Sequence, residues 1–494
     1  MRFSELVHGM PVTDLRGPDP ELGNAGADSR EVGPGWLYFA LRGSQRDGAD
    51  FVPEVLARGA AAVVSESPLR EAGGAARGRF EEGRAREAMA LLSRRLYGAP
   101  DEALALIGVT GTNGKTTTTT LIRQLLRGAG IGCGLVGTVT MAAGPEEEEA
   151  VRTSPESPVF YRWLRRAADA GDRALAAEVS SHALCLHRVH GARFAVGVFT
   201  NLTQDHLDFH GDMDAYFAAK RRLFAQCGRG LVNADDPYGR RILEVEDHAS
   251  YAVERPACYR ASDLVLSPTG TRFVLHSKEG RWPVESPLLG RFNVYNLLAA
   301  LAACVEAGFA VPRLLPSLSG LRGAPGRLDR VDCGQAFGVM VDYAHTPDAL
   351  EKLLAEGRRL LPPGGRLQVL FGCGGDRDRR KRPLMAAAVA AGADVIWHSS
   401  DNTRGEDPER ILDDGAAGIP EGLRGDPARY HRIADRALAV EAAVRACAPG
   451  DLLLLAGKGH EPYQEIQGVK HPYSDRAAAE AALQGRPVPR PWAP

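Results

Sequence analysis

Charge imbalance, paired cysteines and long apolar runs are all scarce in this 494-residue chain, and each scarcity removes a class of function. Its 60 basic and 62 acidic residues nearly cancel, to a formal net charge of −2, and the two signs are interspersed. Such a balance offers no basic stripe for nucleic acid and no polybasic patch for a membrane surface. The eight cysteines lie far apart and none forms a CxxC pair, which argues against a structural zinc site or a disulfide framework. They are expected to be reduced, mostly buried thiols. No apolar stretch approaches the ~20 residues that a bilayer span needs. Met1-Arg-Phe-Ser-Glu5 lacks the apolar core of a secretion signal. The expectation is therefore a cytoplasmic protein acting on small molecules. No internal repeat is visible, and the run Glu146 to Glu149 reads as a solvated loop.

What is present centres on Leu104-Ala-Leu-Ile-Gly-Val-Thr-Gly-Thr-Asn-Gly-Lys-Thr-Thr117, an apolar, strand-like run that breaks into a glycine turn. The turn reads GxxGKT, shorter than the common GxxxxGK spacing. Gly111 and Gly114 allow the backbone to curl so that its N–H groups face a polyphosphate, Lys115 adds charge, and the Thr116 hydroxyl suits Mg²⁺. Leu121, Ile122, Leu125 and Leu126 then recur at helical spacing until Gly128. A phosphate-binding loop at a helix N-terminus is the reading, with ATP as the ligand.

Other strand-like runs bring chemistry to the same place. Ala174 to Val179 carries Glu178 into Ser180-Ser-His182, and Phe194 to Phe199 leads toward Asp205-His-Leu-Asp208. In a parallel α/β sheet the carboxyl ends of the strands share one crevice, so Thr116, Glu178 and His206 could meet at one Mg-nucleotide. In the helix from about Asp212 to Ala225, Lys220 falls on the apolar stripe, between Tyr216 and Phe224. By spacing alone, a lysine there snorkels to water; the sharper alternative is burial that lowers its pKa and leaves it open to modification. Asn293 and Asn296 open a long Ala/Leu helix; capping suits the first, and contact with a nucleotide base suits the second.

Before this region, residues 36 to 66 read as a small α/β unit whose polar loops, taken alone, are ordinary turns. A Gly/Ala/Arg-rich stretch from Glu71 to Gly78 leads into a helix near Ala85 to Tyr97, and Gly98-Ala-Pro100 reads as a domain boundary. After the hinge-like Gly323-Ala-Pro-Gly-Arg327, strands alternate with helices again. Thr346 is placed to cap the helix that follows Asp342, with Pro347 at its first position. Gly372-Cys-Gly-Gly-Asp-Arg-Asp378 begins like a dinucleotide fingerprint but has Arg377 where its last glycine belongs. With Asp401-Asn-Thr-Arg404 and Gly457-Lys-Gly-His-Glu461, it forms a set of strand-end loops. Arg377, Arg404 and Glu461 would make a pocket for a ligand bearing both carboxylate and ammonium.

Thr110 to Thr117, Glu178 to His182, Asp205 to Asp208, Lys220, Asp342 to Asp348 and Gly457 to Glu461, in this order and spacing, resemble the Mur ligase family over essentially the whole chain. The resemblance implies an α/β protein of three domains. These are a UDP-binding N-terminal domain (1–98), a central P-loop ATPase with a parallel sheet (99–327) and a Rossmann-like amino-acid-binding domain (328–494) that closes over the site. It implies ATP binding by Gly111, Thr112, Asn113, Gly114, Lys115, Thr116, Thr117, Asn296, Arg327 and Asp342, with Asn296 at adenine and Arg327 at the γ-phosphate. Ser29, Ser44, Gln45 and Arg46 would hold uridine diphosphate; Thr153, Ser154, Ser180 and Arg188 would hold a muramoyl dipeptide. Arg377, Asp401, Asn402, Thr403, Arg404, Gly457 and Glu461 would select the incoming amino acid.

Thr116, Glu178 and His206 would bind Mg²⁺, and Lys220 would be carbamylated (N6-carboxylysine). Lys115, Lys220, His206 and Arg327 would carry the catalysis. The implied reaction is ATP-dependent phosphorylation of the D-Glu carboxylate of UDP-N-acetylmuramoyl-L-Ala-D-Glu, then attack by meso-diaminopimelate on the acyl phosphate. Thr403 stands where relatives using that amino acid carry proline, which leaves L-lysine or L-ornithine as alternatives. A folylpolyglutamate synthetase-like ligase is the further one. A monomer is expected.

Overall fold

The structure, a computed structural model, describes residues 1–43, 46–69, 74–267 and 270–491. The chain packs as two compact units. The first comprises Met1–Leu264, Arg272–Ser286 and Val294–Leu321; the second comprises Val265–Thr271, Pro287–Asn293 and Arg322–Pro494.

The first unit carries two sheets. At its N-terminal end, five strands order as Val12–Arg16, Ala76–Phe80, Ala62–Ser65, Trp36–Ala40 and Asn24–Gly26. Helix Ala85–Leu96 packs its apolar stripe of Ala88, Met89 and Leu92 into the core beneath this sheet. The strand Ala76–Phe80 begins within the Gly/Ala/Arg-rich stretch, for which no element was expected from sequence. Its side chains alternate buried and partly exposed, with Arg77 and Arg79 outward and Phe80 in the core.

The larger sheet has eleven strands. At its centre Ala105–Thr110 lies between Phe194–Phe199 and Ala174–Glu178, with Cys133–Val136 and Cys227–Asn233 flanking them, all parallel. These strands are nearly continuous apolar runs because helices cover both faces. Helix Ser157–Asp169 buries Phe160, Tyr161, Trp163 and Leu164 against Leu106 and Leu175, each such side chain contributing ~1.5–3 kcal/mol of transfer free energy. Parallel alignment puts the C-terminal ends of four strands on one edge, where Gly111, Gly137, Val179 and Thr200 begin their loops.

Glu146–Glu149 is a strand and not the solvated loop its charge suggests. It pairs antiparallel with Thr140–Ala143 at the sheet edge with all four carboxylates exposed, and Arg123 and Arg166 offset their repulsion. Four glutamates on an edge also discourage pairing with another chain. Past Asn233 the sheet continues through Ala249–Ala252, Tyr259–Ser267, Gly270–Ser277 and Gly280–Ser286, which the sequence patterns did not announce.

In the second unit, strands order as Asp329–Arg330, Gly338–Asp342, Leu452–Ala456, Leu367–Cys373, Val395–Ser400 and Tyr430–Arg432, with only the first pair antiparallel. Helix Pro347–Leu360 is capped by Thr346, whose hydroxyl accepts from the Ala349 N–H. Asn293 is not a cap. It lies inside helix Arg291–Glu306 and its amide donates to the Leu289 carbonyl at 2.8 Å. The cysteines are all unbridged, but only Cys133, Cys304 and Cys373 are fully buried while Cys258 and Cys333 are exposed, so "mostly buried" overstated their burial.

Candidate functional site

Strand Ala105–Thr110 ends at Gly111, and Gly114 sits just before helix Lys115–Gly128 in the left-handed region, φ 88°. A Cβ there would lie 2.5 Å from Asn296 Oδ1, so only glycine lets Asn296 pack against this turn. The neighbouring strand end supports the loop from outside. Asn201 Oδ1 accepts from the Asn113 N–H at 2.9 Å, Thr200 Oγ1 donates to the Asn113 carbonyl at 2.6 Å, and Thr112 Oγ1 donates to the Thr203 carbonyl at 3.1 Å. Lys115 Nζ folds back onto the carbonyls of Gly111 and Thr112, both at 2.9 Å. Thr117 is buried in the first helical turn. The result is a rigid cradle with a cation at its mouth and a helix N-terminus behind it.

Beside the cradle, Thr116 Oγ1 donates to Glu178 Oε2 at 2.9 Å, and Glu178 is 1% exposed. Its other oxygen accepts from the Thr138 N–H at 2.7 Å, and the Thr138 hydroxyl donates to Oε2 at 3.0 Å. Thr138 is a residue the sequence reading missed; the signal was its position just past another parallel strand, after a Gly137 whose Cβ would lie 2.7 Å from Glu178. A hydroxyl and a buried carboxylate side by side are hard oxygen donors of the kind Mg²⁺ takes. Among the described residues no group of three or more His, Cys, Asp or Glu is arranged to hold a metal alone.

His206 lies on the same side. It adopts φ 52°, its ring meets His182 edge-on at 4.8 Å, and its Nε2 is 3.4 Å from Asp205. Burial, then the Lys115 and Lys220 charges, against the opposing pull of Asp205, push its pKa down and favour the neutral ring that can ligate a metal.

Lys220 does not snorkel. Helix Met213–Arg221 turns it inward, where it is 1% exposed. Its Nζ donates to the Gly111 carbonyl at 2.7 Å and sits 4.6 Å from the Tyr216 ring centre. Burial first, and the Lys115 charge second, drive its pKa well below the usual lysine value, with Asp205 pulling the other way.

The residues expected at the dipeptide also gather here. The Thr153 hydroxyl lies 3.1 Å from Thr138 Oγ1, placed to donate to it, and Ser154 Oγ donates to the Glu178 carbonyl at 2.8 Å. Ser180 caps helix Ser181–Cys185, and Arg188 donates to the Ser154 carbonyl at 3.0 Å. Ser29 stands apart in the N-terminal sheet region, its carbonyl accepting from Arg58 at 2.7 Å. Arg46 is exposed, and its carbonyl accepts from the Gly43 N–H at 2.9 Å. Ser44 and Gln45 lie outside the described residues.

A separate group occupies the second unit. The Arg327 guanidinium stacks over Tyr343 at 4.9 Å. Asp342 accepts from the backbone N–H groups of Leu328 and Ala344; burial raises its pKa and Arg327 partly offsets this. Gly326, at φ 67°, leaves no space for a Cβ beside Gly459 and His460, which seats the Arg327 turn on the Gly457–Glu461 loop.

The other strand-end loops assemble beside it. The Gly375 N–H donates to the Asn402 carbonyl at 2.9 Å, Arg404 Nη1 donates to the Gly375 carbonyl at 2.7 Å, and Arg404 Nε is 3.4 Å from Glu465. Arg377 is exposed, with its Cγ 3.6 Å from where a Cβ of Gly374 would stand, next to Arg404 Nη1 at 3.1 Å. Glu461 Oε2 accepts from Asn402 Nδ2 at 2.9 Å. Asp401 and Thr403 are buried, and Gly457 leaves a Cβ position 3.0 Å from Asp401 Oδ2. Burial would raise Asp401, but the charges of Lys458 and Arg436 hold it below the usual carboxylate value. Arg404 and Glu461 thus present opposite charges on adjoining loops.

Comparison with known proteins agrees with this architecture. Residues 21–97 match the model of the Mur ligase family catalytic domain, 109–304 the Mur ligase middle domain, and 326–459 the Mur ligase glutamate ligase domain. A UDP-N-acetylmuramoyl-L-alanyl-D-glutamate--2,6-diaminopimelate ligase of Geobacillus thermodenitrificans is 43% identical, over 98% of this chain and 100% of its own. One of the same name from Solibacter usitatus is 45% identical over 98% of this chain and 99% of its own. A solved structure of a ligase with that name superposes with a TM-score of 0.69 at 35% identity, covering 98% of this chain and 99% of its own. Conjoined with the glycine cradle, the buried lysine and the charged strand-end loops, these likenesses over nearly full length place the chain in the Mur ligase family.

Proposed function

We propose that this protein is an ATP-dependent amide ligase. It joins meso-diaminopimelate to the D-Glu carboxylate of UDP-N-acetylmuramoyl-L-Ala-D-Glu, in peptidoglycan precursor synthesis. The observation that carries the reading is the convergence of Lys115, Thr116, Glu178, His206 and Lys220 on one sheet edge, with Thr153, Ser154, Ser180 and Arg188 beside them.

The chemistry follows from charge. The Gly111–Thr117 cradle holds the ATP phosphates through backbone N–H groups and Lys115, and Asn296 lies against it where a base can be met. Thr116, Glu178 and His206 are the residues to hold Mg²⁺, which when bound neutralises charge on the phosphates. A D-Glu carboxylate oxygen attacks the γ-phosphorus, ADP leaves, and an acyl phosphate forms; Lys115 and Arg327 offset the charge spread over the transferring group. The free amine of the diamino acid attacks the acyl carbon, the tetrahedral intermediate expels phosphate, and the amide remains. Lys220 serves as a carbamate, an anion where the unmodified amine is costly to charge.

Arg377, Arg404, Asp401, Asn402, Thr403, Gly457 and Glu461 select the amine, a cationic fork for the distal carboxylate and an anion for the ammonium. Ser29 with the 44–46 loop takes the uridine diphosphate. The domain boundaries proposed are 98/99 and 327/328, and the enzyme works as a cytoplasmic monomer. No helix among the described residues is long and apolar enough to cross a membrane.

The test is phosphate release by purified protein with ATP, Mg²⁺ and UDP-N-acetylmuramoyl-L-Ala-D-Glu, offered diaminopimelate, lysine or ornithine in turn. Release that depends on diaminopimelate supports the reading. Equal release without any amine, or none with all three, refutes it.

A further inference from the structure

The two loops assigned to amine recognition meet through a residue to which neither the reaction nor the family resemblance gives a role. Lys458 has no exposed surface at all. Its Nζ donates to Asn402 Oδ1 and to Glu461 Oε2, both at 2.8 Å, and lies 3.4 Å from Asp401 Oδ1. The ring of Tyr463 covers it at 5.6 Å. A buried ammonium is tolerated only with paired charges and a full set of acceptors, and here all three belong to residues flanking the amine site.

The contacts fix more than charge. Asn402 Oδ1 accepts from Lys458 and also from the Glu465 N–H at 2.9 Å, which leaves Asn402 Nδ2 as the donor to Glu461 Oε2. Glu461 Oε2 therefore receives two donors from the protein. Its Oε1 receives none among the described residues, and the carboxylate is 19% exposed. Behind this layer, Arg436 donates to the carbonyls of Ser400 and Ala456, the last residues of the two strands that feed these loops.

We propose that Lys458 is a positioning residue for amine specificity. It clamps Asn402 and Glu461 across two loops so that Glu461 turns one oxygen outward to receive the ammonium of the incoming amino acid. The proposal rests on the amine-recognition reading above. Wild-type phosphate release that ignores every amine would sink that reading first, before any variant is made.

Given amine-dependent wild-type turnover, steady-state kinetics of Lys458→Met and Lys458→Gln test the clamp itself. Lys458→Met is expected to raise the KM for diaminopimelate by about tenfold or more, with the KM values for ATP and for the UDP-linked dipeptide within about twofold of wild type. Lys458→Gln, which keeps one amide donor, is expected to fall between. A diaminopimelate KM unchanged within about twofold in a folded variant overturns the proposal. So does a uniform loss across all three substrates. Failure of both variants to fold would assign Lys458 to the scaffold and overturn it equally.

Discussion

Lys220 Nζ lies 2.7 Å from the carbonyl oxygen of Gly111, so the Gly111–Thr117 loop and the buried lysine are one unit of structure. Desolvation and the Lys115 charge favour the neutral amine. A neutral amine adds to CO₂, releasing a proton and leaving an N–H able to keep the Gly111 bond. Lys220→Arg cannot do this, and its kcat is expected to drop by about 100-fold, the scale of a lost electrostatic group in a dry site. Exhaustive removal of CO₂ should lower wild-type activity and bicarbonate should restore it. Full activity in Lys220→Arg would end the carbamate assignment.

At Gly114 backbone conformation and a close neighbour both exclude a side chain. Alanine there meets both an unfavourable φ of 88° and the Asn296 amide at 2.5 Å. The left-handed backbone alone costs an L-residue about 1–2 kcal/mol. Gly114→Ala should weaken binding of an ATP analogue by about tenfold or more while the circular dichroism spectrum is preserved. Equal affinity in titration calorimetry would show that the turn tolerates a side chain and is not a tight phosphate cradle.

Elements buried on both faces were legible in the sequence because their side chains answer to one environment. Ala105–Thr110 as far as Val109, Phe194–Phe199 and Leu452–Ala456 are apolar runs that end in glycine or polar loops. With Ala174–Glu178 beside the first pair, their parallel order led to the expectation that Thr116, Glu178 and His206 share one crevice, and the structure joins Thr116 to Glu178 directly. Glu146–Glu149 was illegible for the opposite reason: an edge strand pairs through backbone alone, so four exposed glutamates carry no trace of it. Thr138 and Lys458 were hidden because their partners, Glu178 and Asn402, lie far away in sequence. Lys220 was half legible. Its stripe position was plain, but only the packed helix distinguishes a buried lysine from one that snorkels.

Arg436 and Asp475 form a bidentate pair, 2.8 and 2.6 Å, with both side chains fully buried. Removing one partner strands the other charge, a loss of about 3–5 kcal/mol. Arg436→Met should therefore lower the denaturation midpoint sharply, and Arg436→Met combined with Asp475→Leu should recover much of it. If single and double variants unfold together, the arginine's bonds to the Ser400 and Ala456 carbonyls outweigh the ion pair.

His398 makes stability of the second unit depend on pH. Its ring stacks on Phe371 at 4.7 Å, Nδ1 is 3.0 Å from the Tyr430 hydroxyl, and Nε2 has no partner among the described residues. Burial, helped by the Arg432 charge, pushes its pKa down to about 3. An unfolded histidine titrates near ~6.5, so the folded state binds fewer protons between these values. The stabilising contribution is complete above the unfolded pKa and is lost progressively as pH falls toward the folded one. At pH 5 the loss is about 2 kcal/mol. His398→Gln cannot titrate, so its unfolding midpoint should fall less steeply from pH 7 to pH 5 than the wild type's, whatever its stability at neutral pH. Parallel curves for the two proteins would mean that the imidazole is protonated in the folded chain, and that the packing around Nε2 opens to water as the acid is added.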